Sequence, residues 1–153
     1  MPFDVALLES YREPEFRIAK GAHENPEEGR CVLEWALAVG SFPHHAVTDA
    51  EDMPAGFSRA VCGYAQALND TLPDDLRSRL LSPFVHRLAG SCRGPDLETE
   101  CWRNIVREVY RRIVGEQYEP ATVAYDVVND IESSKHPQKW EIAVNILNEA
   151  ISF

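Results

Sequence analysis

The sequence predicts an all-α fold: a compact bundle of about six or seven short-to-medium helices around a central helix near residues 96–114. Three observations lead there. Apolar side chains recur at helical spacing along most of the chain. Proline stands at the starts of apolar stretches and glycine at their ends, the asymmetry helices show. No glycine-rich hairpin turn separates alternating apolar and polar runs, as a sheet protein would need. The 153 residues fit one domain, 1–153, with 44% apolar and 26% charged residues. A domain of this size buries roughly two thirds of its unfolded surface and needs neither disulfide nor metal to form a core.

Each element has its own signal. Phe3, Val5, Ala6, Leu7 and Leu8 suggest a short helix over 3–11, interrupted by Pro14, and a turn of helix over 15–20 ending at Gly21. Asn25 as N-cap, Pro26 at N1 and Glu28 at N3 read as a capping box, opening a helix that carries Val32, Trp35, Ala36 and Val39 to a stop at Gly40. Residues 43–54 read as a loop with the acids Asp49, Glu51 and Asp52. Pro54 opens a helix with Phe57, Val61, Tyr64, Ala65 and Leu68 at helical spacing, ending near 69–71.

Pro73, Asp74 and Asp75 start a short helix with Leu76, Leu80 and Leu81, and Ser82–Pro83 starts another with Phe84, Val85 and Leu88. Gly90 to Pro95 is a break. The helix expected over 96–114 has two adjacent apolar rows, Leu97, Cys101, Ile105, Val109, Ile113 and Trp102, Val106, Tyr110, Val114, a face wide enough for the middle of a core. Gly115 ends it. Pro120 starts a segment with Ala124, Val127, Val128 and Ile131; its β-branched residues leave a strand as the alternative, and its spacing favours a helix. After a turn over 133–136, Pro137 starts a last helix with Trp140, Val144, Leu147 and Ile151 on one stripe.

Net charge is −10, with 25 acidic and 15 basic residues, and it is uneven. Residues 1–56 hold 11 acids and 4 bases, residues 57–95 hold 3 and 5, and residues 96–153 hold 11 and 6. Such a surface repels nucleic-acid backbone and anionic lipid, and it suits a basic protein partner. Nucleic acid is therefore disfavoured, and no membrane partner is expected. The cysteines Cys31, Cys62, Cys92 and Cys101 form no C-x-x-C pair. With no basic-then-apolar leader and no bilayer-length apolar run, reduced cysteines in a cytoplasmic protein are expected. Glycine loops for phosphate, H-E-x-x-H and G-x-S-x-G are all missing.

Four groups of residues could carry chemistry. His23, Cys31, Glu34 and His45, with His44 beside it, are competent zinc ligands if the two ends of one helix meet in space. No cofactor is otherwise expected. Without that meeting the set is a capped helix with a buried thiol and loop histidines. Cys31 is also the thiol nearest to histidines, as a nucleophile would require, whereas Cys62 and Cys101 lie on apolar faces where an inert thiol belongs. Arg103, Arg107 and Arg111, with Arg112 alongside, form a helix edge that could grip phosphate; Glu100 and Glu108 stand three residues before Arg103 and Arg111 and offer ordinary intrahelical pairing instead. The carboxylates Asp49, Glu51, Asp52 and Asp70, Asp74, Asp75 lack calcium-loop spacing and suit caps and solvated turns.

One stretch carries a resemblance. His23, Pro26, Gly29, Cys31 and Glu34, the His44–His45 loop, Leu68-Asn69-Asp70 with Asp74, Arg77 and Leu80, and the run Leu88, Gly90, Ser91 together resemble a group of small uncharacterised helical proteins of high-GC Gram-positive bacteria and their phages. The resemblance spans residues 23–91. It implies no particular activity and singles out His23, Cys31, Glu34 and His44 or His45 as a set. The group often has a further cysteine just beyond the histidines; here the next is Cys62, inside a helix.

The expectation is a non-enzymatic interaction or regulatory protein that binds another protein, phage-associated as the resemblance implies, with a homodimer as another allowed assembly. One alternative is a metal-binding domain or metalloenzyme built on His23, Cys31, Glu34 and His45. The other is a nucleic-acid-associated factor using the Arg103, Arg107 and Arg111 edge.

Overall fold

A computed structural model of the chain describes residues 14–115 and 123–152. Within them six α-helices occur: α1 (Val32–Val39), α2 (Arg59–Thr71), α3 (Asp74–Leu81), α4 (Pro95–Val109), α5 (Ala124–Ser133) and α6 (Lys139–Ile151). A short 3-10 turn at Pro26–Glu28 precedes them, others at Ala50–Asp52 and Ser82–Arg87 lie between them, and no strand is present among the described residues. The fold is the all-α bundle the helical rows predict. The segment after Pro120 is helical from Ala124 onward, while residues 120–122 and the helix expected over 3–11 lie outside the described residues. No helix among the described residues is long and apolar enough to cross a membrane.

The middle of the bundle is α2, which packs against all five other α-helices, so the centre lies there rather than in the helix over 96–114. The reason is the girth of its apolar surface. Val61, Cys62, Tyr64, Ala65, Ala67 and Leu68 are all buried, as are the polar Gln66 and Asn69, so α2 is covered almost all round. It begins at Arg59 rather than near Pro54. The Ser58 hydroxyl caps it by accepting the Val61 N–H at 3.1 Å. Glu98 of α4 takes the Ser58 hydroxyl and the Ala60 N–H, both at 2.9 Å. At the other end Arg77, 5% exposed, donates to the Asn69 carbonyl at 2.6 Å and the Leu72 carbonyl at 2.8 Å. A cation on the last carbonyls also complements the helix dipole. The Tyr64 hydroxyl donates to the Ala143 carbonyl at 2.8 Å, pinning α6 across α2.

The long helix over 96–114 has two parts. Regular α4 buries Cys101, Ile105, Val106 and Val109, and a π turn, Tyr110–Val114, continues it. Gly115, at φ 82°, closes that turn by donating to the Tyr110 carbonyl at 2.7 Å, a bond five residues back. Leu97, placed in the buried row by its spacing, is exposed. The Ser82–Pro83 signal produces a 3-10 helix in place of an α-helix.

Two further expectations are corrected. Residues 15–20 form no turn of helix but an irregular stretch with bends at 15–16 and 20: Phe16 and Ile18 are buried and Glu15 and Arg17 exposed, a two-residue alternation. Their backbone N–H groups find acceptors away from their own segment, at Ser82 Oγ (2.7 Å) and Ser78 Oγ (2.8 Å), and Ala19 donates to the Arg30 carbonyl at 2.8 Å. The helix read from Asn25 to Gly40 is interrupted. Asn25 caps only the Pro26–Glu28 turn, and the backbone breaks at Gly29, whose φ of 137° suits glycine. Cys31 then caps α1, with Glu34 completing the capping box.

Candidate functional site

Of the residues singled out around His23, Cys31, Glu34 and His44 join it and His45 does not, and Glu34 organises the group. As N3 of α1 it turns its carboxylate back onto the start of the helix, where burial is complete, with 0% exposure. One oxygen accepts the Cys31 N–H at 2.9 Å and lies 2.8 Å from His23 Nδ1. The other accepts the His23 N–H at 2.8 Å and the Val47 N–H at 3.1 Å. His44 Nε2 bonds the His23 carbonyl at 2.8 Å. Burial alone raises the Glu34 pKa. The N–H groups of Cys31 and His23, the His23 imidazole and the Val47 N–H outweigh it and hold the carboxyl below its ordinary value.

This arrangement spends the set on structure. Glu34 clasps three segments, at His23, Cys31 and Val47. Buried Asn69 and Gln66 of α2 hold the same segments: Asn69 accepts the Val32 N–H at 2.8 Å and donates to the Ala19 carbonyl at 3.0 Å, and Gln66 donates to the Val47 carbonyl at 3.1 Å. Gly29 lets the chain pass closely, since a Cβ there would stand 3.0 Å from the Ala19 Cβ and 3.4 Å from His23 Nε2.

As metal ligands the set fares poorly. Both Glu34 oxygens are committed to hydrogen bonds. His45 is exposed, with its Nδ1 3.3 Å from the carbonyl of its neighbour Ala46. Among the described residues no group of three or more His, Cys, Asp or Glu side chains is placed to hold a metal ion. Nor is Cys31 arranged as a nucleophile. Burial pushes its thiol up to about 12, and its sulfur accepts the Glu34 N–H at 3.4 Å. Burial likewise raises Cys62, and Cys101 to about 11.

The arginine edge is largely occupied. Arg111 pairs with Glu108 at 2.5 Å, Arg107 bonds Asn104, and Arg112 crosses to Glu149 at 3.0 Å. Arg103 and Arg107 have no ion-pair partner among the described residues, so the pairing expected between Glu100 and Arg103 is absent. The acids behave as caps and tethers. Asp49 accepts the Glu51 N–H at 2.9 Å, Asp74 pairs with Arg77 at 2.7 Å, and Asp70 accepts the Gly21 N–H at 3.0 Å and the Tyr125 hydroxyl at 2.8 Å.

A feature absent from the sequence reading is a shallow, mainly apolar groove of about 470 Å³ where the Ala50–Asp52 turn, α2, α4 and the start of α5 converge. Small residues, Ala60, Gly63 and Ala124, line it, with Trp102, Thr99 and Val123 around them; Val123 is 58% exposed. Asp49, Glu51 and Glu98 stand at the groove together with one cation, Arg59, which pairs with Glu51 at 3.1 Å. Helical periodicity could not assemble residues from four separate elements. One local signal was available: an isolated glycine at position 63, inside a helix, which disfavours that helix by about 1 kcal/mol relative to alanine. No family model, curated protein or solved structure matches the chain.

Proposed function

We propose that this chain is an interaction module that binds another protein through the groove formed by α2, α4 and α5. The observation that supports this most is the groove itself: apolar side chains and small residues open to solvent, where the other large hydrophobics among the described residues are mostly buried. Apolar concave surface of this kind is where partners and ligands dock. By contrast, the side chains best suited to covalent or metal chemistry are engaged in holding loops. Placing a photo-crosslinking residue at Thr99 in the groove, and separately at exposed Glu27, tests the reading in cells of the source organism. Capture of one defined protein from Thr99 and not from Glu27 is expected. Equal capture at both positions, or none at Thr99, would overturn it.

A further inference from the structure

Resting on that reading, we propose that the groove takes a cationic amphipathic segment of the partner, with one large apolar side chain seated over Gly63. The first argument concerns the glycine. A Cβ at Gly63 would stand 3.9 Å from Ala124 and from Ala50, ordinary contact distances, so packing within the bundle does not require a glycine there. Its helix-weakening effect is thus unrelieved inside the described chain, while its missing side chain deepens the groove where a visitor would approach the backbone.

The second argument is charge. Three carboxylates, Asp49, Glu51 and Glu98, line the groove with one guanidinium, Arg59, which pairs with Glu51 alone, so the lining keeps a net negative charge, and the chain as a whole carries −10. A second copy would bring the same excess negative charge to the contact, whereas a lysine- or arginine-rich segment is drawn to it. An amphipathic helix supplies both an apolar row for the groove and cations for its acidic margin.

The test uses the full chain and two labelled synthetic helices, one of leucine, tryptophan and lysine, the other with every lysine replaced by glutamate, followed by fluorescence anisotropy. The lysine helix should bind and the glutamate helix should not. Thr99→Arg, on an exposed wall, should weaken binding about tenfold, as loss of a central contact does. Gly63→Leu should do the same while thermal unfolding confirms a folded chain. Glu51→Lys should weaken binding several-fold more than Glu27→Lys, which makes the same change in net charge away from the groove, and the gap should narrow as salt is raised.

Equal losses from Glu51→Lys and Glu27→Lys would mean attraction to the overall charge only and would overturn the proposal. So would unchanged binding in both Thr99→Arg and Gly63→Leu. Binding of the glutamate helix, or solution sizing that finds a dimer dissolved by Thr99→Arg, would replace the cationic occupant while leaving protein binding at the groove intact. Failure of both helices alongside Thr99-specific crosslinking would do the same. Failure of the crosslinking removes the broader reading.

Discussion

The clasp around Glu34 and the groove beside Gly63 are opposites. The clasp gathers histidines, a thiol and a carboxylate, the residue types from which active sites are built, and then consumes their hydrogen-bonding capacity on backbone N–H and carbonyl groups. The groove gathers alanine, glycine, valine and tryptophan, with surface left over. The lesson is that chemical capability is measured by what a side chain has unspent. A buried carboxylate with four donors is a strut, whereas a row of small residues facing solvent is an opening.

That contrast can be attacked experimentally, starting where the effect is greatest. Glu34→Ala leaves the buried amides of Cys31 and Val47 and the half-buried amide of His23 without their acceptor. It should remove about 3–5 kcal/mol of stability, as breaking a buried charge interaction does, read from urea denaturation. A near-neutral result would end the description of Glu34 as a strut. Arg77→Met keeps the aliphatic stem but frees the Asn69 and Leu72 carbonyls at the end of α2; a loss of about 2–3 kcal/mol is expected.

The next effect depends on pH. Because the folded Glu34 carboxyl lies below its ordinary value near 4.5, the unfolded chain takes up the proton first as pH falls. Its stabilisation is therefore fully present above that ordinary value and is lost as pH drops through the lower folded value. Glu34→Gln should be less stable near neutrality and show a shallower decline in acid; parallel curves would show that Glu34 does not titrate as described. On the groove side the expected change is small and of opposite sign. Gly63→Ala should stabilise the chain by about 0.5–1 kcal/mol, measured by thermal unfolding. Destabilisation would mean that the space above Gly63 is filled.

The bundle itself was largely legible because its signals are local. Pro73 with Asp74, Gly94 with Pro95, and Gly115 act within a turn or two of their own position. Reading failed where the deciding partner is distant. Residues 15–20 suit a turn of helix on local grounds, but Ser82 and Ser78 accept the Phe16 and Ile18 N–H groups from afar, and Phe16 and Ile18 are buried beside them. Asn25-x-x-Glu28 and Cys31-x-x-Glu34 have the same capping spacing; the second wins at α1 because Glu34 also reaches His23 and Val47. Cysteine as the N-cap concealed it further, since oxygen side chains usually fill that place. Of the set His23, Cys31, Glu34 and His45, the first three stand together and His45 does not, and what the three do depends on which lone pairs are already taken. The groove needed four elements in register, which no window of sequence displays.

The clasp also has a temporal meaning. The backbone protons of His23, Cys31 and Val47 are separated by up to two dozen positions along the chain, yet all three rest on one carboxylate. Because the three share Glu34 as acceptor, their exchange with deuterium is expected to follow one clock set by a shared opening. Three stretches that look like independent loops would then breathe as a single unit, and the slowest of them would set the pace for the rest.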